Sequence, residues 1–359
     1  MTNRRLAAIA AALSAAAALS AARADEPGQR QAPARLEDTG LYADFAARRV
    51  AADVLTWTPQ YPLWSDGATK RRFIRLPPGK AIDATEPDAW VFPVGTKLWK
   101  EFSFGRAVET RYMERRGDGS WIFATYRWTE DGNDALLAPN RGVVAAAELR
   151  PARAGQPAVS HDLPSMGDCI SCHTAGPTPV LGFSALQLSP DRDPNAPHRE
   201  AGSPRDVDLP ELAGRGLLVD LPPALLRRPP RVEAATPTAR AALGYLHGNC
   251  ASCHDARGEL ASLGLDLTQR VEPAPGAGPL ATAVNVPSRY RPAGARGPVP
   301  RIAPGDPERS ALVARISSRN PSAQMPPMGT HLVDDEAVKL VRAFVEELSA
   351  PGRRVANLP

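Results

Sequence analysis

The sequence predicts an α+β protein of several domains, with an antiparallel β domain in the N-terminal part and an all-α domain at the C-terminal end. Residues 61–128 are rich in aromatic and β-branched side chains, which favour strands. Apolar residues at helical spacing occur in 236–250 and again in 333–350. A Pro-rich stretch, 191–235, lies between the two regions. At 359 residues the chain is long enough for such an arrangement.

The first 24 residues are typical of a secretory signal peptide. Arg4 and Arg5 precede an apolar run, and an A-x-A cleavage site ends at Ala24. The run is short and dominated by alanine, which makes it weak as a membrane span. We therefore expect cleavage after Ala24 and a periplasmic mature protein without a membrane span.

The charges do not indicate a nucleic-acid partner. The chain has 43 basic and 39 acidic residues, but three of the arginines belong to the leader. The mature chain is therefore close to neutral, without the basic excess typical of proteins that bind phosphate backbones.

The β domain is expected to contain five to eight antiparallel strands. Its strand-like stretches are 61–79, 90–104 and 109–128. Asp118-Gly119, inside the last stretch, marks a hairpin turn, because this pair favours the positive φ angles that tight hairpins need.

Every cysteine of the chain belongs to a Cys-x-x-Cys-His unit. One unit lies in GDCISCHTAG, 167–176, and the other in LHGNCASCHDA, 246–256. Two thiols about one helical turn apart can attach to both vinyl groups of a porphyrin as thioethers, and the adjacent imidazole can bind the iron. The residues therefore predict two covalently bound haem c groups. The attachment residues are Cys169, Cys172, Cys250 and Cys253, and the proximal iron ligands are His173 and His254.

Three other uses of such cysteines fit less well. A redox disulfide needs no histidine after each pair, and a zinc site would place its cysteine pairs closer together or add a histidine pair. Structural disulfides, which an exported protein permits, leave the histidines without a role. The 78 positions between Cys172 and Cys250 fit neither the redox pattern nor the zinc pattern.

A helix is predicted to lead into the second unit. Thr236 or Thr238 is its candidate N-cap, and Ala242 and Leu246 lie on the face that continues toward Cys250.

Met325 is the candidate sixth ligand of the second iron. It stands 71 positions after His254 and precedes two prolines, which restrict the loop. A thioether ligand raises the reduction potential and suits electron transfer. Met328 is the alternative ligand, and the stretch 333–350 is expected to form a closing helix.

In motif and order, residues 236–350 resemble a class I cytochrome c domain. In such domains an aromatic residue usually occupies the helix crossing, where this chain has Leu246. As a whole, the chain is similar to bacterial periplasmic dihaem c-type cytochromes, on the strength of Trp64–Ala68, His247–His254 and Met325–Pro327. That resemblance implies the cofactor but no particular substrate.

The first unit has no comparable Met-Pro loop, so its sixth ligand stays open. None of the candidates has an identifying spacing, and an iron without a protein sixth ligand is the remaining alternative. Of the histidines among them, the first two are expected in exposed loops. The candidates are Met113, Met166, His161, His198 and His247.

The β region is also similar to β-sheet cytochromes c-prime and their relatives with a lysine-cross-linked haem, through FPVGTKLWKEF, residues 92–102. This resemblance implies a five-coordinate first haem with a distal pocket and a cross-link from Lys97 or Lys100. Otherwise both lysines are expected to face solvent on a half-buried strand.

These observations predict an electron carrier that passes single electrons between redox partner proteins. The alternative is an enzyme with a small substrate of the peroxide or hydroxylamine type at an open first iron. In a third interpretation the β region is a docking module, whose basic cluster steers an acidic partner. That cluster consists of Lys70, Arg71, Arg72 and Arg75.

The predicted organisation has six segments. The Pro-rich linker is expected to pack across both haem regions. The segments are the leader (1–24), a flexible segment (25–40), the β domain with the first haem motif (41–190), the linker (191–235), the class I cytochrome c domain (236–350) and a C-terminal tail (351–359).

Overall fold

The structure is a computed structural model that describes residues 32–149, 159–292 and 294–348. Within these ranges it confirms the predicted α+β class. Antiparallel sheets form the N-terminal part, and most of the seven helices lie in the C-terminal part. The leader (1–24) and the tail (351–359) lie outside the described residues.

The described residues form twelve strands: β1 (Tyr42–Asp44), β2 (Arg49–Val50), β3 (Leu55–Thr56), β4 (Thr69–Arg75), β5 (Ile82–Asp83), β6 (Lys97–Ser103), β7 (Ala107–Arg115), β8 (Trp121–Trp128), β9 (Ala135–Leu137), β10 (Val143–Leu149), β11 (Val159–Leu163) and β12 (Leu218–Val219). The α-helices in the same ranges are α1 (Met166–His173), α2 (Leu209–Gly214), α3 (Ala224–Arg227), α4 (Pro237–Cys250), α5 (Gly278–Ala283), α6 (Ala311–Ile316) and α7 (Asp335–Glu347). Short 3-10 helices occupy Leu36–Thr39, Ala261–Leu263 and Pro307–Arg309.

The main sheet has six strands in the order β3-β4-β6-β7-β8-β9, and every neighbouring pair is antiparallel. This confirms the predicted sheet of five to eight strands. The turn between β7 and β8 contains Gly119 at φ +83°, as the Asp118-Gly119 pair predicted. Two smaller antiparallel pairs, β1-β2 and β10-β11, and one parallel pair, β5-β12, accompany the sheet.

One face of the main sheet is covered by the chain that precedes it. The Trp99 indole donates to the Thr39 hydroxyl (2.9 Å), and Lys97 Nζ donates to the Thr39 carbonyl (3.1 Å). Leu36 is fully buried, although it falls within the segment expected to be flexible. We call this the outer face.

The opposite face, here the inner face, begins with an apolar row. Ile74, Leu98, Met113 and Phe123 stand opposite one another on β4, β6, β7 and β8. They form the first hydrophobic core, against which Cys169 of α1 packs. The sheet therefore provides the floor on which the first Cys-x-x-Cys-His unit lies.

A second core joins the C-terminal helices. Leu246 of α4 shares it with Val341 and Phe344 of α7, and α4 packs against α7. The Pro-rich stretch 191–235 contributes to both cores, as expected. Val207, Leu209, Leu212, Leu218 and Leu225 belong to the first core, and Ala196 and Val232 belong to the second.

Helix α4 begins directly after Thr236, one of the two N-cap residues predicted from the sequence. The Thr236 hydroxyl accepts a 3.0 Å hydrogen bond from the Ala239 amide, so Thr236 rather than Thr238 is the N-cap. Farther along the helix, Gly244 faces the ring of Tyr61, and a Cβ there would overlap the ring. The tyrosine from the N-terminal part therefore packs directly on the backbone of α4.

From Pro33 onward the described residues form one compact unit. In the described ranges no helix is both long enough and apolar enough to span a membrane.

Candidate functional site at the two Cys-x-x-Cys-His units

The two Cys-x-x-Cys-His units lie against each other. The Glu259 amide donates a 3.0 Å hydrogen bond to the carbonyl of Ala175, which follows the first unit. Gly258 lies so close to the same carbonyl that a Cβ there would overlap it. Burial raises the pKa of Cys172, and the nearby Cys253 thiol adds to this. All four cysteines are free thiols.

The first unit occupies helix α1, which starts with a capping box. The Ser165 hydroxyl accepts from the Asp168 amide (3.2 Å), while the Asp168 carboxylate accepts from the Ser165 amide (2.8 Å). Cys169 and Cys172 are three residues apart and share one helix face, which is half-buried over the first core. The thiols thus point toward the interior between the helix and the sheet.

The His173 side chain is held in one tautomer. Its Nδ1 lies 2.6 Å from the Pro179 carbonyl, and since a carbonyl only accepts, Nδ1 carries the proton. Burial lowers the pKa of His173 to about 4, so the ring is neutral at neutral pH and Nε2 keeps a free lone pair. The Phe123 ring packs 5.3 Å away, centroid to centroid. A histidine oriented through one ring nitrogen in this way is suited to binding a metal through the other.

The second unit begins at the last residue of α4. The chain turns tightly there, since the His254 amide donates to the Cys250 carbonyl (2.9 Å). Burial raises the pKa of Cys250 to about 12 and lowers the pKa of His254. His254 Nδ1 is buried and has no hydrogen-bond partner among the described residues. The second imidazole is therefore less firmly oriented than the first.

Met325 lines a small pocket between α4 and α7. Tyr245 and Asn249 of α4, Val338 of α7 and Trp64 contribute to the same pocket. Met328, the alternative ligand, is 40% exposed. Met325 is therefore the more enclosed of the two methionines, and its role as an iron ligand stays a prediction.

The three motif stretches of the whole-chain resemblance meet in space. The Trp64 amide donates a hydrogen bond to Asn249 Oδ1 (2.7 Å). Two residues later, the Asp66 carboxylate accepts hydrogen bonds from the amides of His331 (2.9 Å) and Leu332 (2.9 Å). The stretch Trp64–Ala68 thus joins the second unit to the loop that follows Met325. The sequence alone did not predict this contact.

The interpretation of Lys70, Arg71, Arg72 and Arg75 as an exposed docking cluster is wrong for Lys70 and Arg72. Arg72 is 4% exposed and forms a two-pronged ion pair with Glu200, and Lys70 is also buried, 3.6 Å from the same carboxylate. Both side chains lie on the inner face because β4 alternates. Only Arg71 and Arg75 remain accessible to a partner.

The expected exposed loop position is wrong for His161. It lies in β11, is 6% exposed, and places Nε2 3.2 Å from Glu109 Oε1. Glu109 is fully buried and accepts a hydrogen bond from Arg111 (2.7 Å). This Glu109-Arg111-His161 group lies close to the first unit, since burial raises the pKa of Cys169 while Arg111 lowers it and Glu109 raises it.

The other two histidines are held by different partners. His198 is only half-buried rather than exposed: its Nε2 lies 2.8 Å from Asp334 Oδ1, and its ring packs 4.5 Å from Trp64. His247 Nδ1 accepts from the Gln269 amide (3.1 Å). Neither contact joins these histidines to the first unit.

The two candidate cross-linking lysines lie on opposite faces of β6. Lys97 belongs to the outer face, as its bond to Thr39 shows, and so points away from the first unit. Lys100 belongs to the inner face beside Arg111, and burial lowers its pKa well below the usual value. Lys100 is half-buried, so it lies on the inner face and keeps part of the solvent exposure that was expected.

Sequence reasoning named His161 as a candidate ligand of the first iron but did not identify Glu109 or Glu200 as parts of the site. The alternation of β7 was a usable signal for Glu109, because it puts this carboxylate on the face of Met113. The described residues contain no group of three or more His, Cys, Asp or Glu side chains arranged to hold a metal ion by themselves. Comparisons with protein-family models, curated proteins and solved structures find no match for this chain.

Proposed function

We propose that this protein is a periplasmic dihaem c-type cytochrome that passes single electrons between redox partner proteins. Cys169 and Cys172 would hold one haem, and Cys250 and Cys253 the other. The observation that carries the proposal is the contact between the two units, 78 positions apart in sequence, through Glu259 and Ala175. Electron transfer needs two redox centres close together, and this contact brings their attachment points side by side.

The local chemistry of the first unit supports this function. The four thiols are free, and His173 has the tautomer that a ligand imidazole requires. A bound haem would supply a one-electron iron couple, and the chain would supply axial ligands, burial and nearby charge. The arrangement of α4 and α7 around Met325 supports a class I cytochrome c domain for the second haem.

The experiment uses the full chain, exported in cells that possess haem-attachment machinery. Mass spectrometry of the purified protein is expected to find two added haems and an N-terminus at Asp25. The double variant Cys169→Ala/Cys172→Ala and the double variant Cys250→Ala/Cys253→Ala are each expected to keep one haem. Spectra of the two variants then assign the coordination of each iron. An exported wild type without any added tetrapyrrole contradicts the proposal.

One observation favours a haem enzyme as a second candidate function. The Glu109-Arg111-His161 group puts a carboxylate, a guanidinium and an imidazole near Cys169. Such groups can transfer protons to a peroxide or hydroxylamine substrate at an open iron. Binding of cyanide or nitric oxide to the first haem, together with turnover that falls at least tenfold in Glu109→Gln, would favour the enzyme. Two haems that bind neither ligand would favour the carrier.

A further inference from the structure

Three cations form a row across the inner face. Arg72 on β4 stands opposite Lys100 on β6, which stands opposite Arg111 on β7. Like charges directly opposite one another destabilise a sheet. The row therefore requires anions close to it.

The protein itself supplies anions only to the ends of the row. Arg72 is paired with Glu200, and Arg111 is paired with Glu109. Within the described ranges, the Lys100 ammonium has no carboxylate within 4.0 Å and no hydrogen-bond partner. Its contact is the Phe102 ring, with Nζ 4.9 Å from the centroid. The central cation of the row is thus the one that no carboxylate contacts directly, and Glu200, which pairs with Arg72, acts on it only from a longer distance.

The surroundings of Lys100 carry an excess of positive charge. Lys100 is half-buried and stands between Arg72 and Arg111 on the inner face. Burial lowers its pKa, and the charges of Arg72, Lys70 and Arg111 lower it further, while the more distant Glu200 raises it. With Lys70 this part of the inner face holds four cations against two carboxylates, Glu109 and Glu200, and the excess favours an anionic ligand.

The row borders the first Cys-x-x-Cys-His unit. Arg111 affects the pKa of both Cys169 and Cys172, and Lys100 and Arg111 both contribute to the low pKa of His173. The space in front of Lys100 is therefore the space beside the first attachment site.

We propose that Lys100, between Arg72 and Arg111, binds a carboxylate-class oxyanion at the first haem site. This inference rests on the proposed function. The carboxylate has two sources that share this chemistry: a propionate of the haem, or a small free anion. A lysine between two paired arginines offers its unused donors to either source.

The test compares the wild type with Lys100→Met and Lys100→Arg, and uses Lys80→Met as the matched control because Lys80 is exposed in a loop. Haem content is measured first, by mass. Resonance Raman spectra then report the propionate bending band, and redox titration reports the potential of each haem. Formate serves as the probe for a free anion, followed by spectral titration and by thermal unfolding.

If a propionate is the partner, Lys100→Met shifts the bending band and lowers one of the two potentials, whereas Lys100→Arg keeps the potential and Lys80→Met changes neither. If a free anion is the partner, formate titrates the wild-type spectrum and raises its unfolding temperature. In that case Lys100→Met weakens formate binding at least tenfold.

If the wild type and the three variants all carry both haems and give the same spectra, potentials and formate response, the anion site is overturned and the proposed function stands. A covalent bond between Lys100 and the porphyrin, found by peptide mass, also overturns it. A wild type without haem contradicts the proposed function instead, and the formate effect on unfolding then decides the anion site by itself.

Discussion

The amide of Glu259 donates a 3.0 Å hydrogen bond to the carbonyl of Ala175, and this single bond ties together the loops that follow the two Cys-x-x-Cys-His units. The approach is close because Gly258 precedes Glu259 and has no side chain to hold the chains apart. The relationship of the two units therefore depends on a backbone contact, which substitutions can test directly.

Gly258→Ala is expected to lower the free energy of unfolding by about 1 to 3 kcal/mol, because the new Cβ overlaps the Ala175 backbone carbonyl, which cannot rotate away. Denaturant unfolding of the haem-loaded protein measures the change. The matched control is Gly176→Ala, whose Cβ would lie 3.8 Å from the Ser252 carbonyl, an ordinary contact distance. Equal stabilities of the two variants would contradict the close approach.

Gly244→Ala is expected to destabilise the protein by a similar amount, about 1 to 3 kcal/mol, because its Cβ overlaps the Tyr61 ring. The control is Gly214→Ala in α2, where a Cβ meets nothing within 4 Å and alanine should be neutral or slightly stabilising. In a double-mutant cycle, Gly244→Ala should cost less in a Tyr61→Ala background. Additive effects would show that the two residues do not interact.

Met325→Leu is expected to convert the second haem from six to five coordination and to lower its reduction potential, because the thioether ligand is lost. Absorption spectra of the ferric protein and redox titration check both changes. Met328→Leu is the control and should leave both properties unchanged, as this methionine is 40% exposed. The reverse result, with only Met328→Leu active, would reassign the ligand.

Stability is expected to fall between about pH 6.5 and about pH 4, in part through His247. Burial lowers the pKa of His247 to about 4, so in this window the unfolded chain binds a proton that the folded chain does not. The free energy of unfolding therefore decreases as the pH falls through this window, by about 3 kcal/mol from this residue, and His247 contributes no pH dependence above it.

Denaturant unfolding of the wild type and of His247→Gln at several pH values measures this contribution. The variant should lose that part of the pH dependence while keeping its haem content. An unchanged slope between pH 6.5 and pH 4 would mean that His247 is protonated equally in both states.

Much of the fold could be predicted because its signals are local. The cap at Thr236, the turn at Asp118-Gly119 and the strands of the main sheet follow from dihedral preferences and side-chain periodicity over a few residues. The Cys-x-x-Cys-His spacing is local in the same way.

The surroundings of the charged residues could not be predicted. Arg72 pairs with Glu200, 128 positions later in the chain, so nothing near Arg72 in sequence indicated that it is buried. His161 lies among polar residues in sequence, and only the β10-β11 hairpin brings it to Glu109.

The sequence by itself determined the identity and spacing of the thiols and imidazoles, the period of each strand and helix, and the order of the segments. The tertiary structure decided that the two units touch, that Lys100 lies on the inner face without a direct ion pair, and that Trp64, Asn249 and the loop after Met325 meet. The physical reason is range. Backbone preferences act within a turn, whereas burial and charge pairing depend on which distant segment covers a residue once the chain has folded.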